Sequence, residues 1–151
     1  MLEYLKKLLK VKDKRILFVG IGNLLKSDDG IGVYISSRIA NKGHISSLNA
    51  EVSIENYIGK INKLNPDILI IIDCVNLNSS PGSCRILRPG QITDLTFNTH
   101  NISLKGLTEF FKMPVYILGI QPEKIEIGEN ISYLVREIGD KIIKLINRQE
   151  E

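Results

Sequence analysis

"DILIIIDCVNLNSSPGSCRIL", residues 67 to 87, decides the fold of this chain. Its first part is a continuous apolar run closed by aspartate at both ends, which reads as a strand buried on both faces. The segment that follows, "CVNLNSSPGS", carries Asn, Ser, Pro and Gly turn signals and no helical spacing. "CRIL" is then strand-like again. A parallel crossover needs about a dozen residues or more, usually with a helix among them. This connection is too short and too rich in turns, so the strand near 84–88 is expected to run antiparallel to its predecessor.

Outward from there the chain alternates strands and helices. "RILFVG" (15–20) is a second buried strand closed by glycine. From Gly30 the spacing of Ile31, Val33, Tyr34, Ile35 and Ile39 predicts a helix running towards Asn41, with Gly43 as the stop signal. "EVSIENY" (51–57) alternates as a strand does, and Ile58, Ile61 and Leu64 mark a short helix ending before Pro66. "SLKGLTEFF" (103–111) reads as a helix, "MPVYILGIQP" (113–122) as a strand, and Ile131 to Ile146 as a long closing amphipathic helix. Leu2, Leu5, Leu8 and Leu9 predict a short leading helix. The expected architecture is a three-layer α/β/α sandwich around a mixed five-stranded sheet with one antiparallel strand. No repeat, low-complexity segment or linker divides the 151 residues, so one domain (1–151) is expected, with 1–14 as a helical extension.

Composition narrows the class. Apolar residues make up 43% and charged residues 25%, as in ordinary globular proteins. A net charge of +3, with lysines scattered over helix-like segments, favours solvated helix faces over a nucleic-acid footprint. The N-terminus lacks the apolar core and cleavage site of a signal peptide, and no apolar run is long enough to span a bilayer. A cytoplasmic protein without membrane attachment is expected, with Cys74 and Cys84 reduced. The modest size and open sheet edges permit a monomer.

"VGIGNLLKSDDGIG" (19–32) holds the first candidate chemistry. A dinucleotide-binding turn needs G-x-G-x-x-G, but the third position is Leu25, and two aspartates at the helix entry would repel a pyrophosphate. P-loop order is absent, and so are the spaced ligands of an EF-hand. What remains is a sharp glycine turn followed by Asp28 and Asp29. One of the pair is expected to cap the following helix; Asp29 lies where open α/β sheets bind ligands, beyond the carboxyl ends of the strands.

Two further residues reach the same edge. Asp73 ends a wholly apolar strand, where a turn role and a site role weigh about equally. His100 sits in the polar loop "FNTHNIS". With His44 as the other histidine, H-E-x-x-H and triple-histidine zinc sites are excluded. Asp29, Asp73 and His100 would form a two-carboxylate, one-imidazole set suited to a borderline divalent ion. Cys74 is expected to face the opposite way, into the core. Ser27, Thr99 and Ser103 lack a nucleophile elbow; Ser103 reads as a helix N-cap. "GIQPE" (119–123) closes the last strand at the same edge.

Taken together, "ILFVGIGNLLKSDDGIG", "IIIDCVN", "PGSCRIL", "THNISL" and "LGIQPEKIEIG" resemble the hydrogenase maturation endopeptidases, over roughly residues 15–147, in matching order. They are most similar to the branch that serves formate-hydrogenlyase-type and archaeal nickel–iron hydrogenases. The resemblance implies a phosphorylase/hydrolase-like α/β/α peptidase domain, filed with the aspartic-type peptidases. It implies a protein partner, the hydrogenase large-subunit precursor, whose C-terminal extension is removed after nickel insertion. It also implies that Asp29, Asp73 and His100 bind metal and carry the catalysis. The implied ion is nickel supplied by the precursor, with other divalent ions expected to substitute in vitro. Aspartate at the first position, where some relatives carry glutamate, is expected to set the ion slightly deeper. A non-catalytic, metal-sensing chaperone of the precursor is the alternative from a different class.

Overall fold

The structure, a computed structural model, describes residues 2–91 and 104–148. Five strands form one sheet: β1 (Ile16–Ile21), β2 (Ile45–Glu51), β3 (Ile68–Cys74), β4 (Cys84–Leu87) and β5 (Val115–Ile120), in the order β2-β1-β3-β5-β4. β1 pairs parallel with β2 and β3, and β3 parallel with β5, while β4 pairs antiparallel with β5. The strand after the turn-rich connection therefore reverses direction, as expected. It forms the sheet edge beside β5, with Cys84 opposite Ile120.

Alternation along the strands divides the core in two. Ile16, Phe18, Ile70, Ile72 and Cys74 face α1 (Glu3–Leu9), α2 (Ile31–Ser36) and α5 (Tyr133–Asn147). Leu17, Val19, Leu69 and Ile71 face α3 (Ile58–Leu64) and α4 (Leu104–Thr108). This is the three-layer sandwich. β1 and β3 are buried almost throughout because helices cover both faces, which is why their sequences read as continuous apolar runs. Cys74 and Cys84 are both free and buried. No helix among the described residues is long and apolar enough to cross a membrane.

Two expectations require correction. The second strand is "ISSLNAE" (45–51), not 51–57. It is an edge strand paired only with β1, so half of its surface meets water and serines and asparagine fill it. Glu51 turns left-handed (φ 53°) at its end, and Ile54 is buried by a 3-10 turn (Ile54–Tyr57) instead of by a strand. The second correction shortens α2, which stops at Ser36 instead of reaching Asn41. The Ser37 hydroxyl and the Arg38 guanidinium donate to the Tyr34 carbonyl (3.2 and 3.0 Å). The backbone tightens to i→i−3 bonds from Arg38 to Ile35 and from Ile39 to Ser36. Side chains that take helix carbonyls in this way end helices.

Candidate active site

The carboxyl ends of β1 and β3 are brought against the first turn of α2 by missing side chains. A Cβ on Gly32 would overlap the carbonyl oxygens of Ile21 and Ile72, so only glycine lets α2 lie directly across the tips of both strands. Gly22 has φ +138°, and a Cβ there would collide with the Asp29 carbonyl oxygen. The glycines of "GIGNLLKSDDGIG" therefore fold the chain back on itself; they do not make room for a phosphate. Between them, a 3-10 turn (Ser27–Gly30) carries the two aspartates.

Both aspartates are buried, and their side chains diverge. Asp29 Oδ2 accepts from the Asn23 N–H (2.9 Å), and Asn23 Oδ1 accepts from the Leu25 N–H (2.9 Å), closing the turn. Asp28 turns the other way. Its oxygens take the amides of Glu123, Lys124 and Ser132 and the Ser132 hydroxyl. The expected cap on α2 does not form: the N-cap position is Gly30, and no side chain caps it. Asp28 bonds instead to Ser132, the residue that opens α5.

Asp73 arrives at the end of β3. Its exposure is 1%, and Oδ1 accepts from the Cys74 N–H (2.7 Å). Oδ2 is buried with no hydrogen-bond partner among the described residues. Burial pushes this carboxyl well above the usual carboxylate range. Repulsion from Asp29 pushes the same way, and the Cys74 amide opposes them. Two carboxylates that repel each other out of water, one with an unused oxygen, form a site that wants a cation or a proton. Asp29 and Asp73 are thus brought together as the sequence predicts.

His100 lies outside the described residues, as do Thr99 and the proposed N-cap Ser103. Among the described residues no group of three His, Cys, Asp or Glu side chains is placed to hold a metal ion. Cys74 points into the core. Burial, followed by the charges of Asp73, Asp29 and Asp28, pushes its thiol far up, which makes it an inert core residue and not a nucleophile. Sequence reasoning missed what Asp28 does, because its partners are 95 to 104 positions away.

The surroundings offer room for a partner. A groove of about 390 Å³ beside α2 is lined by Leu24, Tyr34, Arg38, Ile131 and Arg136 among others. Leu24, Leu25 and Ile127 are 46%, 60% and 90% exposed. Leu25 and Ile127 lie near each other, because the Leu25 carbonyl accepts from the Gly128 N–H (2.9 Å).

Comparison with known proteins shows the family of the chain. The chain is 29% identical over 147 aligned positions to a putative hydrogenase maturation protease of Methanocaldococcus jannaschii, covering 88% of this chain and 86% of the relative. It is 33% identical over 109 positions to the hydrogenase 3 maturation protease of Escherichia coli, covering 68% and 70%. Its fold is similar to the crystal structure of the NiFe hydrogenase maturation protease HycI from Thermococcus kodakarensis, with a TM-score of 0.81 and 26% identity over 95% and 96% of the two chains. The profile of the HycI hydrogenase maturation proteases matches residues 30–149, and the chain belongs to that family of peptidases.

Proposed function

We propose that this chain is the endopeptidase that removes the C-terminal extension of a nickel–iron hydrogenase large-subunit precursor once nickel is in place. In this reading Asp29, Asp73 and His100 receive the nickel that the precursor carries. The observation that carries the reading is the buried Asp73 Oδ2, which has no partner among the described residues and stands against a second carboxylate. A hard-to-borderline cation satisfies that oxygen and cancels the repulsion in one event. His100 enters on the sequence resemblance, as the imidazole that completes the set.

The chain's own residues then act in a definite order. Without a cation, burial and then the repulsion from Asp29 favour the protonated form of Asp73. Docking of the loaded precursor releases that proton, so recognition of the metal and ionisation of the site are coupled. Asp29, oriented by the Asn23 amide, would be the second oxygen ligand to the precursor's ion. A divalent ion in this place polarises a carbonyl or activates water at the scissile peptide. The exposed Leu24, Leu25 and Ile127 give the rim an apolar character that suits a protein surface.

The test mixes the protein with purified precursor, nickel-loaded in one tube and nickel-free in the other, and looks for the released peptide by mass spectrometry. Release confined to the loaded tube is the expected result. Release in both tubes overturns the nickel gate and moves the chemistry to Asp29 and Asp73 as an acid–base pair. Binding without release in either tube overturns the peptidase reading in favour of a metal-sensing chaperone.

A further inference from the structure

We propose that Asp28 is the positioning residue of this site: its carboxylate latches the segment 123–132 onto the turn 25–29 and thereby aims Asp29. The inference rests on the assignment of Asp29 to the reacting site. Asp28 is fully buried, and its two oxygens accept four hydrogen bonds. Oδ2 takes the amides of Glu123 (2.8 Å) and Lys124 (3.0 Å) and the hydroxyl of Ser132 (2.8 Å). Oδ1 takes the Ser132 amide (2.6 Å). Four donors converge on an acceptor-only group, a pattern that an ionised carboxylate fills and a carboxamide does not.

The latch is continuous with the backbone on both sides. The Asp28 N–H donates to the Lys124 carbonyl (3.1 Å), the Ser27 N–H to the Gly128 carbonyl (2.7 Å), and the Gly128 N–H to the Leu25 carbonyl (2.9 Å). The Ser27 hydroxyl donates to the Glu126 carbonyl (2.8 Å). Ser27 is held at φ 52°, a left-handed conformation that a non-glycine residue keeps only when its surroundings impose it. Ser132 opens α5, yet its hydroxyl serves Asp28 and not its own helix. A serine at this position ordinarily caps its helix; here that role has been given up to fasten the turn.

Asp29 follows directly. Its N–H donates to the Lys26 carbonyl (3.1 Å), its Oδ2 accepts from Asn23, and the missing Cβ of Gly22 leaves the room that its carbonyl occupies. Residues 25–28, fastened to the segment 123–132, lead directly into Asp29, and the direction of its carboxylate therefore depends also on that anchor. Consecutive side chains diverge: one faces the latch, the other faces Asp73. Releasing the first frees the turn to rotate and misaligns the second.

The Asn23 amide reports the position of Asp29 independently of catalysis. The experiment compares the full-length protein with Asp28→Asn, the milder Ser132→Ala, and Ile142→Val in the core as a stability control, at a temperature where all four are folded. In Asp28→Asn, NMR hydrogen exchange is expected to speed up by roughly tenfold or more at Glu123, Lys124 and Ser132, and also at Asn23. Precursor processing is expected to lose about tenfold or more in kcat with KM held within about threefold. Ser132→Ala moves the same readouts in the same direction by less, and Ile142→Val moves neither. Faster exchange confined to residues 123–132, with Asn23 and kcat at wild-type values, overturns the proposal and leaves Asp28 a fastener of the loop alone. If the wild-type chain does not process the precursor, the peptidase reading fails, and the Asn23 amide still decides the positioning claim.

Discussion

Two neighbouring regions of the molecule bury aspartates in opposite ways. In the clamp between residues 25–28 and 123–132, Asp28 meets four donors. At the end of β3, Asp73 meets one backbone amide and a repelling carboxylate, and one of its oxygens is unanswered among the described residues. Residue type and burial are the same in both. What separates the structural carboxylate here from the one proposed to react is whether its hydrogen-bonding capacity is filled, because an unfilled buried oxygen costs stability that the fold does not recover. The molecule carries that cost at Asp73, where chemistry is proposed, and avoids it at Asp28.

The contrast can be broken most forcefully at Asp29. Asp29→Asn keeps the size of the side chain and an acceptor for the Asn23 amide, but removes the charge. Processing of nickel-loaded precursor is expected to fall by roughly 100-fold or more, with the denaturation midpoint unchanged or raised; a gel assay of precursor and product measures it. Asp28→Asn should do the reverse to stability. Turning an amide group towards converging N–H donors is expected to cost about 2–4 kcal/mol in urea unfolding.

The pH dependence sharpens the same comparison. Asp73 holds its proton to higher pH in the folded chain than in the unfolded one. The folded state thus binds more protons, and stability falls as pH rises from the ordinary carboxylate range, about 3.9, through the raised value, then levels off. Asp73→Asn should abolish that decline and make the protein more stable than wild type at neutral pH, by on the order of 1 kcal/mol. Urea midpoints across mildly acidic to neutral pH check both statements. The smallest effect is that of Ser132→Ala, which removes one of the four donors and is expected to cost about 1 kcal/mol.

Legibility in the sequence followed the same physics. β1, β3 and α5 were readable because burial on two faces, or on one helical stripe, writes itself into apolar spacing. The turn-rich connection after Asp73 showed the reversal of β4, although not that β5 would be its partner. β2 was misread because an edge strand half open to water carries Ser46, Ser47 and Asn49 in place of an apolar pattern, whereas the apparent alternation of 51–57 came from a 3-10 turn. Asp29 and Asp73 could be placed together because each follows a parallel strand at the same sheet edge. The role of Asp28 could not be read, since local sequence offers a helix cap and its true partners come from the far end of the chain. His100 remains a reading of the sequence, as it lies outside the described residues.

The most direct measurement is processing of nickel-loaded precursor by Asp73→Asn, with its unfolding midpoint determined alongside. The account predicts a well-folded variant, at least as stable as wild type at neutral pH, that releases no C-terminal peptide. Release at the wild-type rate would contradict it, because the buried oxygen without a partner would then have no part in the reaction.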